Sequence, residues 1–308
     1  MPARAARKVQ LSDLGEFGLI NKIKKQVGSS SSVICGIGDD AAVVPLSSEK
    51  YLLLTTDMLA EGIHFTKRIP ATAIGHKAIA ASISDIAAMG GIAKYAVVSL
   101  GVPASCSSEF VLALYRGLEK TAKKFHINVV GGDTVRCPKV IINVALTGEV
   151  KKNEIVYRNG ARRGDQIFVT GPLGRSLASG WHFRFVPRVA EAKYLVEKYH
   201  PTSMIDLSDG LAADLGHILK ESRAGAIIEE KLLVRRRGAN LKDALYDGED
   251  FELLFTLSAA HARKYRDQAK KKYQFTRIGE IVDHQKGFRI RTAKGVFKAL
   301  TVKGYTHF

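Results

Sequence analysis

Cysteine is scarce in this chain of 308 residues, with only Cys35, Cys106 and Cys137. Three scattered thiols make neither a disulfide framework nor a zinc site, so a reducing, cytoplasmic setting is expected. Long apolar runs are missing too. Crossing a bilayer takes about 20 consecutive apolar residues, and the longest candidate, 95–106, is interrupted by Gly101 and Pro103. The opening MPARAARKVQ is basic but lacks the apolar stretch of a secretory signal. The nine histidines show no H-x-x-x-H or Cys/His pairing, which argues against zinc. No G-x-x-x-x-G-K-[ST], H-R-D or D-F-G occurs, which excludes a P-loop and a protein-kinase site. Acids are the minority sign, 30 against 47 Lys and Arg, for a net charge of +17. That excess admits two partner classes, a nucleic acid or a polyanionic small molecule.

What is present is an ordinary globular composition, 46% hydrophobic and 25% charged, long enough for two domains. Residues 51–57, 95–102, 127–130 and 140–150 read as strands, and 73–89 and 107–126 as helices, the first stopping at Gly90-Gly91. Around 151–164 the chain turns polar and basic, which sets the expected boundary between domains 1–150 and 151–308. Beyond it, 165–170, 204–207, 251–257 and 276–281 read as strands, and 187–199, 208–221 and 259–272 as helices. The fold class is α/β and α+β, in two domains.

The bases gather toward the end of the chain, with thirteen Lys and Arg against three acids in 259–308. That region carries no nucleic-acid-binding motif, and its few aromatics do not make a stacking surface, so a nucleic-acid partner is not expected. The acids instead recur beside Gly, Ser or Thr: Gly38-Asp39-Asp40, Thr55-Thr56-Asp57, Ser84-Asp85, Gly131-Gly132-Asp133, Asp206-Leu-Ser208-Asp209-Gly210 and Gly248-Glu249-Asp250. The first superficially matches a dinucleotide fingerprint, but a proline-containing strand follows rather than a helix, so by itself it reads as a tight turn. Asp85 stands in an Ala/Ile-rich helix, either as half of a buried ion pair or as a metal-binding carboxylate. Asp206 to Asp209 fall where a strand ends, either capping a helix or lining a crevice. Gly131 to Thr134 have the same character after the strand 127–130, their glycines letting a phosphate near the backbone. Collectively these carboxylates suit a hard cation such as Mg²⁺, which binds one or two carboxylates together with substrate phosphates. Several of them imply several ions and a polyphosphate such as ATP.

The same stretches carry a resemblance. GEF at 15–17, GIGDDAAVV at 36–44, TTDMLAEGIHF at 55–65, HKAIAASISDIAAMGG at 76–91, GGDTVR at 131–136, LTGEV at 146–150, RNGARRGDQIFVTGPLG at 158–174, MIDLSDGLAADLGHI at 204–218, GEDFELLFT at 248–256 and KGYTHF at 303–308 cover nearly the whole chain. In this order they resemble the thiamine-monophosphate kinase family of the aminoimidazole ribonucleotide synthetase-like ATP-binding superfamily. The resemblance implies ATP- and Mg²⁺-dependent phosphorylation of thiamine phosphate to thiamine diphosphate by direct in-line transfer, with no distinct catalytic base. It implies metal contacts from Asp40, Thr55, Thr56, Asp57, Asp85, Asp133, Asp206 and Asp209. ATP contacts would come from Gly132, Asp133, Arg158 and Ser208, and thiamine phosphate contacts from His64 and Glu249. It also implies a homodimer joined through the sheet of a mixed N-terminal domain, with a C-terminal α+β domain covering the nucleotide. Three departures fall near the thiamine end. Val302 stands where the family has an aromatic residue suited to stacking on the thiamine ring. Asp247 replaces a glycine, and the segment between Gly174 and Pro187 is short. Another ATP-dependent ligase or synthetase of the superfamily is the alternative reading.

Overall fold

The computed structural model describes residues 10–28 and 30–308. Among them, no helix is long and apolar enough to cross a membrane. After α1 (Leu11–Val27), the first half of the chain builds β1 (Ala42–Pro45), β2 (Lys50–Ala60), α2 (Ala71–Ala88), β3 (Ile92–Val102), α3 (Ser108–Lys124), β4 (Asn128–Arg136) and β5 (Ile141–Lys151). The strands form one sheet in the order β1-β2-β5-β3-β4, antiparallel except for the parallel β3–β4 pair. Strand alternation sends Leu53, Val98, Leu100, Ile142 and Val144 to one face, where Ile74, Ile79, Ile83 and Ile86 of α2 cover them. The α2–α3 crossing is close because two glycines allow it. A Cβ at Gly75 would lie 1.9 Å from the Leu114 carbonyl oxygen, and one at Gly117 would lie 1.9 Å from that of Thr72.

The second half contains β6 (Gln166–Val169), α4 (Ser176–Ser179), α5 (Val189–Tyr199), β7 (Ser203–Asp206), α6 (Leu211–Ser222), β8 (Gly225–Glu229), α7 (Leu241–Tyr246), β9 (Leu253–Leu257), α8 (Ala259–Asp267), β10 (Thr276–Val282), β11 (Phe288–Arg291) and β12 (Phe297–Ala299). Its seven strands run β12-β11-β8-β10-β6-β9-β7. One face packs Ile167, Val169, Ile205 and Leu254 against Leu215 and Ile218 of α6. The other packs Phe168 and Phe255 against Leu195, Tyr265 and Phe275, and this cluster continues into Ala87 and Ala88 at the end of α2. Helix α2 thus touches β2 and β5 in front of it and α5 and β7 behind it. It joins the two halves, and its polar residues are held between two sheets.

Two of the expected elements differ. The strand expected at 127–130 continues to Arg136, so Gly131 to Thr134 lie within β4 and not beyond its end. Gly132 fits there because a Cβ would stand 1.9 Å from the Val98 carbonyl oxygen on the neighbouring strand. The helix expected at 259–272 stops at Asp267, where the lysine run that follows is an irregular loop.

Candidate active site between the two sheets

The turn before β1 is drawn together by Asp39, whose Oδ1 accepts the Asp40 backbone N–H at 3.0 Å. This turn places Asp40 opposite Asp85 of α2 and Asp206 at the end of β7, and the three carboxylates offer oxygens within 4.8 Å of one another. Asp57 of β2 adjoins them, close enough to hydrogen-bond Asp85. Hydroxyls fix the orientation of each acid. Thr55 Oγ1 donates to Asp85 at 2.5 Å, Ser82 Oγ to Asp57 at 2.7 Å and Ser84 Oγ to Asp206 at 2.6 Å. Asp40 and Asp206 are buried, while Asp57 and Asp85 keep a solvent-facing edge.

Arg158, at the entry to the second half, supplies positive charge. Its Nη2 lies 2.6 Å from Asp40 Oδ1, its Nε lies 3.8 Å from Asp39 Oδ1, and its backbone N–H donates to Asp39 Oδ2 at 3.2 Å. The guanidinium does not offset four carboxylates. Burial, then the charges of Asp57, Asp206 and Asp40, push the Asp85 carboxyl well above its ordinary range. Burial and Asp40 raise Asp206 to about 8, and burial and Asp40 raise Asp39 to about 7. Converging carboxylates that resist ionisation in each other's presence could hold a cation, since a divalent ion would remove the repulsion that raises them. The donor set, all carboxylate and hydroxyl oxygen, fits Mg²⁺. Asp40, Asp57, Asp85, Asp206 and Thr55 are the residues that would hold it.

A second group opens α6. Asp209, Asp214 and His217 offer ligand atoms within 4.8 Å of one another. Asp214 Oδ2 also accepts the backbone N–H groups of Asp209 and Gly210, at 3.1 and 3.0 Å, and so caps the turn into the helix. Burial, then the charge of Glu16, raises Asp209 to about 6, and burial lowers His217 to about 4. Ser208 lies beside this group, and its carbonyl accepts the Glu249 N–H at 2.7 Å.

Other expected residues stand elsewhere. Thr56 points away from Thr55, to the opposite face of β2, where its hydroxyl donates to Asn143 Oδ1 at 3.1 Å. Asp133 pairs with Ser99 on the edge strand β4, exposed on that same outer face. Both residues face away from α2, so neither joins the Asp40–Asp85–Asp206 group within one chain. Gly132 shares strand β4 with Asp133.

His64 follows β2 in a turn, its Nδ1 accepting the Ala60 N–H at 3.0 Å and its ring 5.4 Å from that of His307 near the end of the chain. Burial holds its pKa below the ordinary value. Glu249 reaches the same neighbourhood from the loop before β9. Val302 is exposed and rests on Gly216 of α6. The segment 175–188 lies over the seam despite its shortness. Phe185 is fully buried and stacks on Phe251 at 4.0 Å, its carbonyl bonds His76 Nε2 at 2.9 Å, and Trp181 Nε1 donates to the Asp250 carbonyl at 3.0 Å.

Residues 38–150 match the model of the AIR synthase related protein N-terminal domain, and 162–291 that of the C-terminal domain. The thiamine-monophosphate kinase of Aquifex aeolicus is 35% identical over 332 residues, spanning 97% of this chain and 100% of the relative. That of Escherichia coli is 34% identical, spanning 96% and 98%. The chain belongs to the thiamine-monophosphate kinase family. A solved member, AaThiL complexed with AMPPCP and TMP, superposes with a TM-score of 0.86 at 33% identity, covering 98% of this chain and 100% of its own.

Within the family frame, several residues at the site were not singled out by the sequence reading. Ser82 carried a signal, since a hydroxyl two residues before Ser84-Asp85 on an apolar helix is a polar group that needs a partner. Lys77 and His182 gave little, because their partners lie far away in sequence, whereas Asp214, whose partners Asp209 and Gly210 precede it within a turn or so, carried a signal in its spacing.

Proposed function

We propose that this protein phosphorylates thiamine phosphate to thiamine diphosphate with ATP as donor. The observation that carries the reading is the carboxylate group of Asp40, Asp57, Asp85 and Asp206, oriented by hydroxyls between two sheets in a chain of this family. Mg²⁺ bound there would offset the charge of the triphosphate and of the acceptor phosphate, the main obstacle to bringing two phosphorylated substrates together.

The chain's own residues hold and orient. The acceptor is a phosphate oxygen already ionised at neutral pH, so no side chain needs to take a proton from it, and transfer is direct and in line. Arg158 and Ser208 contact ATP, and Arg158 exchanges part of its pairing with Asp40 to do so. Asp209 adds a metal contact at the start of α6. His64 and Glu249 approach thiamine phosphate from the two halves of the chain, which divide into a nucleotide and metal domain, 1–150, and a covering domain, 151–308.

The active form is a homodimer in the cytoplasm. The outer face of the first sheet exposes Leu54, Met58, Tyr95, Val97 and Val135, an apolar surface suited to a second copy. Thr56, Gly132 and Asp133 lie on that face or its edge strand, so their metal and nucleotide contacts depend on the dimer. The test is product analysis by chromatography after incubation with ATP, Mg²⁺ and thiamine phosphate. Thiamine diphosphate formed in step with ADP is expected. ATP consumption with no diphosphate would move the assignment to another ligase or synthetase of the superfamily.

A further inference from the structure

Lys77 of α2 has a side chain with no solvent exposure, an unusual place for an ammonium group. Three polar groups surround it: Glu249 Oε1 at 2.5 Å, His182 Nδ1 at 2.9 Å and the His64 carbonyl oxygen at 3.2 Å. The Phe183 ring lies 5.1 Å away on a further side. Burial lowers the Lys77 pKa, with the Glu249 charge opposing it. These groups come from three separate segments: the turn after β2, the short helical turn Trp181–Phe183, and the loop before β9. Two of the three are the residues expected to contact thiamine phosphate, one from each half of the chain.

The surroundings of Lys77 also fix Glu249. His182 Nδ1 lies 2.9 Å from Lys77 Nζ and 2.8 Å from Glu249 Oε2, so the imidazole stands between the ammonium and the second carboxylate oxygen. Burial pushes the Glu249 carboxyl up, but His182 and the Lys77 charge outweigh it and hold it below its ordinary range. The rest of the residue is firmly held. Its backbone sits at φ +64°, its N–H donates to Ser208, and its carbonyl accepts the Ser176 hydroxyl. A carboxylate fixed at its backbone and clasped by Lys77 and His182 keeps one orientation at the seam.

We propose that Lys77 is a positioning residue for thiamine phosphate: its buried ammonium clasps Glu249 from one half of the chain and the His64 turn from the other, and so fixes both expected thiamine phosphate contacts across the domain seam. The inference rests on the thiamine-phosphate reading above.

Steady-state kinetics and thermal melts of Lys77→Met, Glu249→Gln and the double variant test it. Lys77→Met is expected to raise KM for thiamine phosphate about ten-fold while KM for ATP stays within about two-fold. The double variant should be no worse than Glu249→Gln alone, because both changes remove one contact. A folded Lys77→Met with unchanged KM for thiamine phosphate overturns the proposal, as do KM effects that multiply in the double variant. If Lys77→Met alone does not fold, the double variant, which has no unpaired buried charge, is compared with Glu249→Gln. Equal KM values support the proposal, and a further rise for both substrates overturns it. A wild-type enzyme that makes no thiamine diphosphate would instead defeat the functional reading itself, an outcome distinct from an active enzyme indifferent to Lys77.

Discussion

Asp85 shares its surroundings with three other carboxylates and only one guanidinium, so its charge is opposed until a cation arrives. Raised carboxyl pKa values imply that the folded chain binds protons which the unfolded chain releases. The stability they provide is complete below about pH 4 and is lost as the pH climbs through about 8, the value for Asp206. In EDTA, Tm should therefore fall between about pH 5.5 and about pH 8.5, and Mg²⁺ should raise Tm more at the upper end. Melts in which Mg²⁺ acts equally at both ends would contradict the clustered-carboxylate account. Asp85→Asn should raise Tm in EDTA, by relieving repulsion, and lower kcat by about 100-fold or more. Val302 tests the thiamine end: Val302→Trp restores an aromatic ring and should lower KM for thiamine phosphate, whereas an unchanged or raised KM would remove this position from ring stacking. The aspartates were legible in the sequence because each stands beside a glycine or hydroxyl. Lys77 was not, since a lysine on a helix reads as a surface residue until His182 and Glu249, more than a hundred residues away, are seen to enclose it.

Helix α2 and the segment 175–188 decide how the seam closes. Periodicity revealed α2 almost to its ends, because its apolar residues face two sheets and Gly90-Gly91 stop it. The strand β4 was read too short: Gly131-Gly132 looks like a turn, yet its glycines let one strand lie against another. Helix α1, the short helices α4 and α7 and strands β8, β11 and β12 went unread. Helix α1 and β11 have no fully apolar face, β12 is exposed along its length, and β8 is buried but only five residues long. The short segment 175–188 is secured chiefly by Phe185, which stacks on Phe251 and reaches Ala80 and Ala81 of α2. Phe185→Ala should cost about 3–5 kcal/mol in denaturant unfolding. A loss below about 1 kcal/mol would show that the segment is held by its hydrogen bonds instead.

The whole molecule carries +17, and its distribution separates chemistry from surface. The scarce acids converge between the sheets, while lysines such as Lys198, Lys264, Lys270, Lys271 and Lys272 gather around α5 and α8. A positive exterior favours the approach of anionic substrates without selecting among them. The division into two sheets was legible from the polar stretch around 151–164. Thr56 and Asp133 lie on the outer face of the first sheet, away from the site within one chain; if a second copy covers that face, as proposed, Met58→Glu should convert a dimer to a monomer in light scattering and reduce turnover with it. A wild-type monomer of full activity would contradict the shared-face account. The central claim, phosphoryl transfer from ATP to thiamine phosphate at the Asp40–Asp85–Asp206 group, is tested most directly by following the label of γ-³²P-ATP in the presence of Mg²⁺ and after its removal. The account predicts label in thiamine diphosphate, one per ATP consumed, and none once the metal is chelated. Label released only as inorganic phosphate, or transfer that persists without a divalent cation, would contradict it.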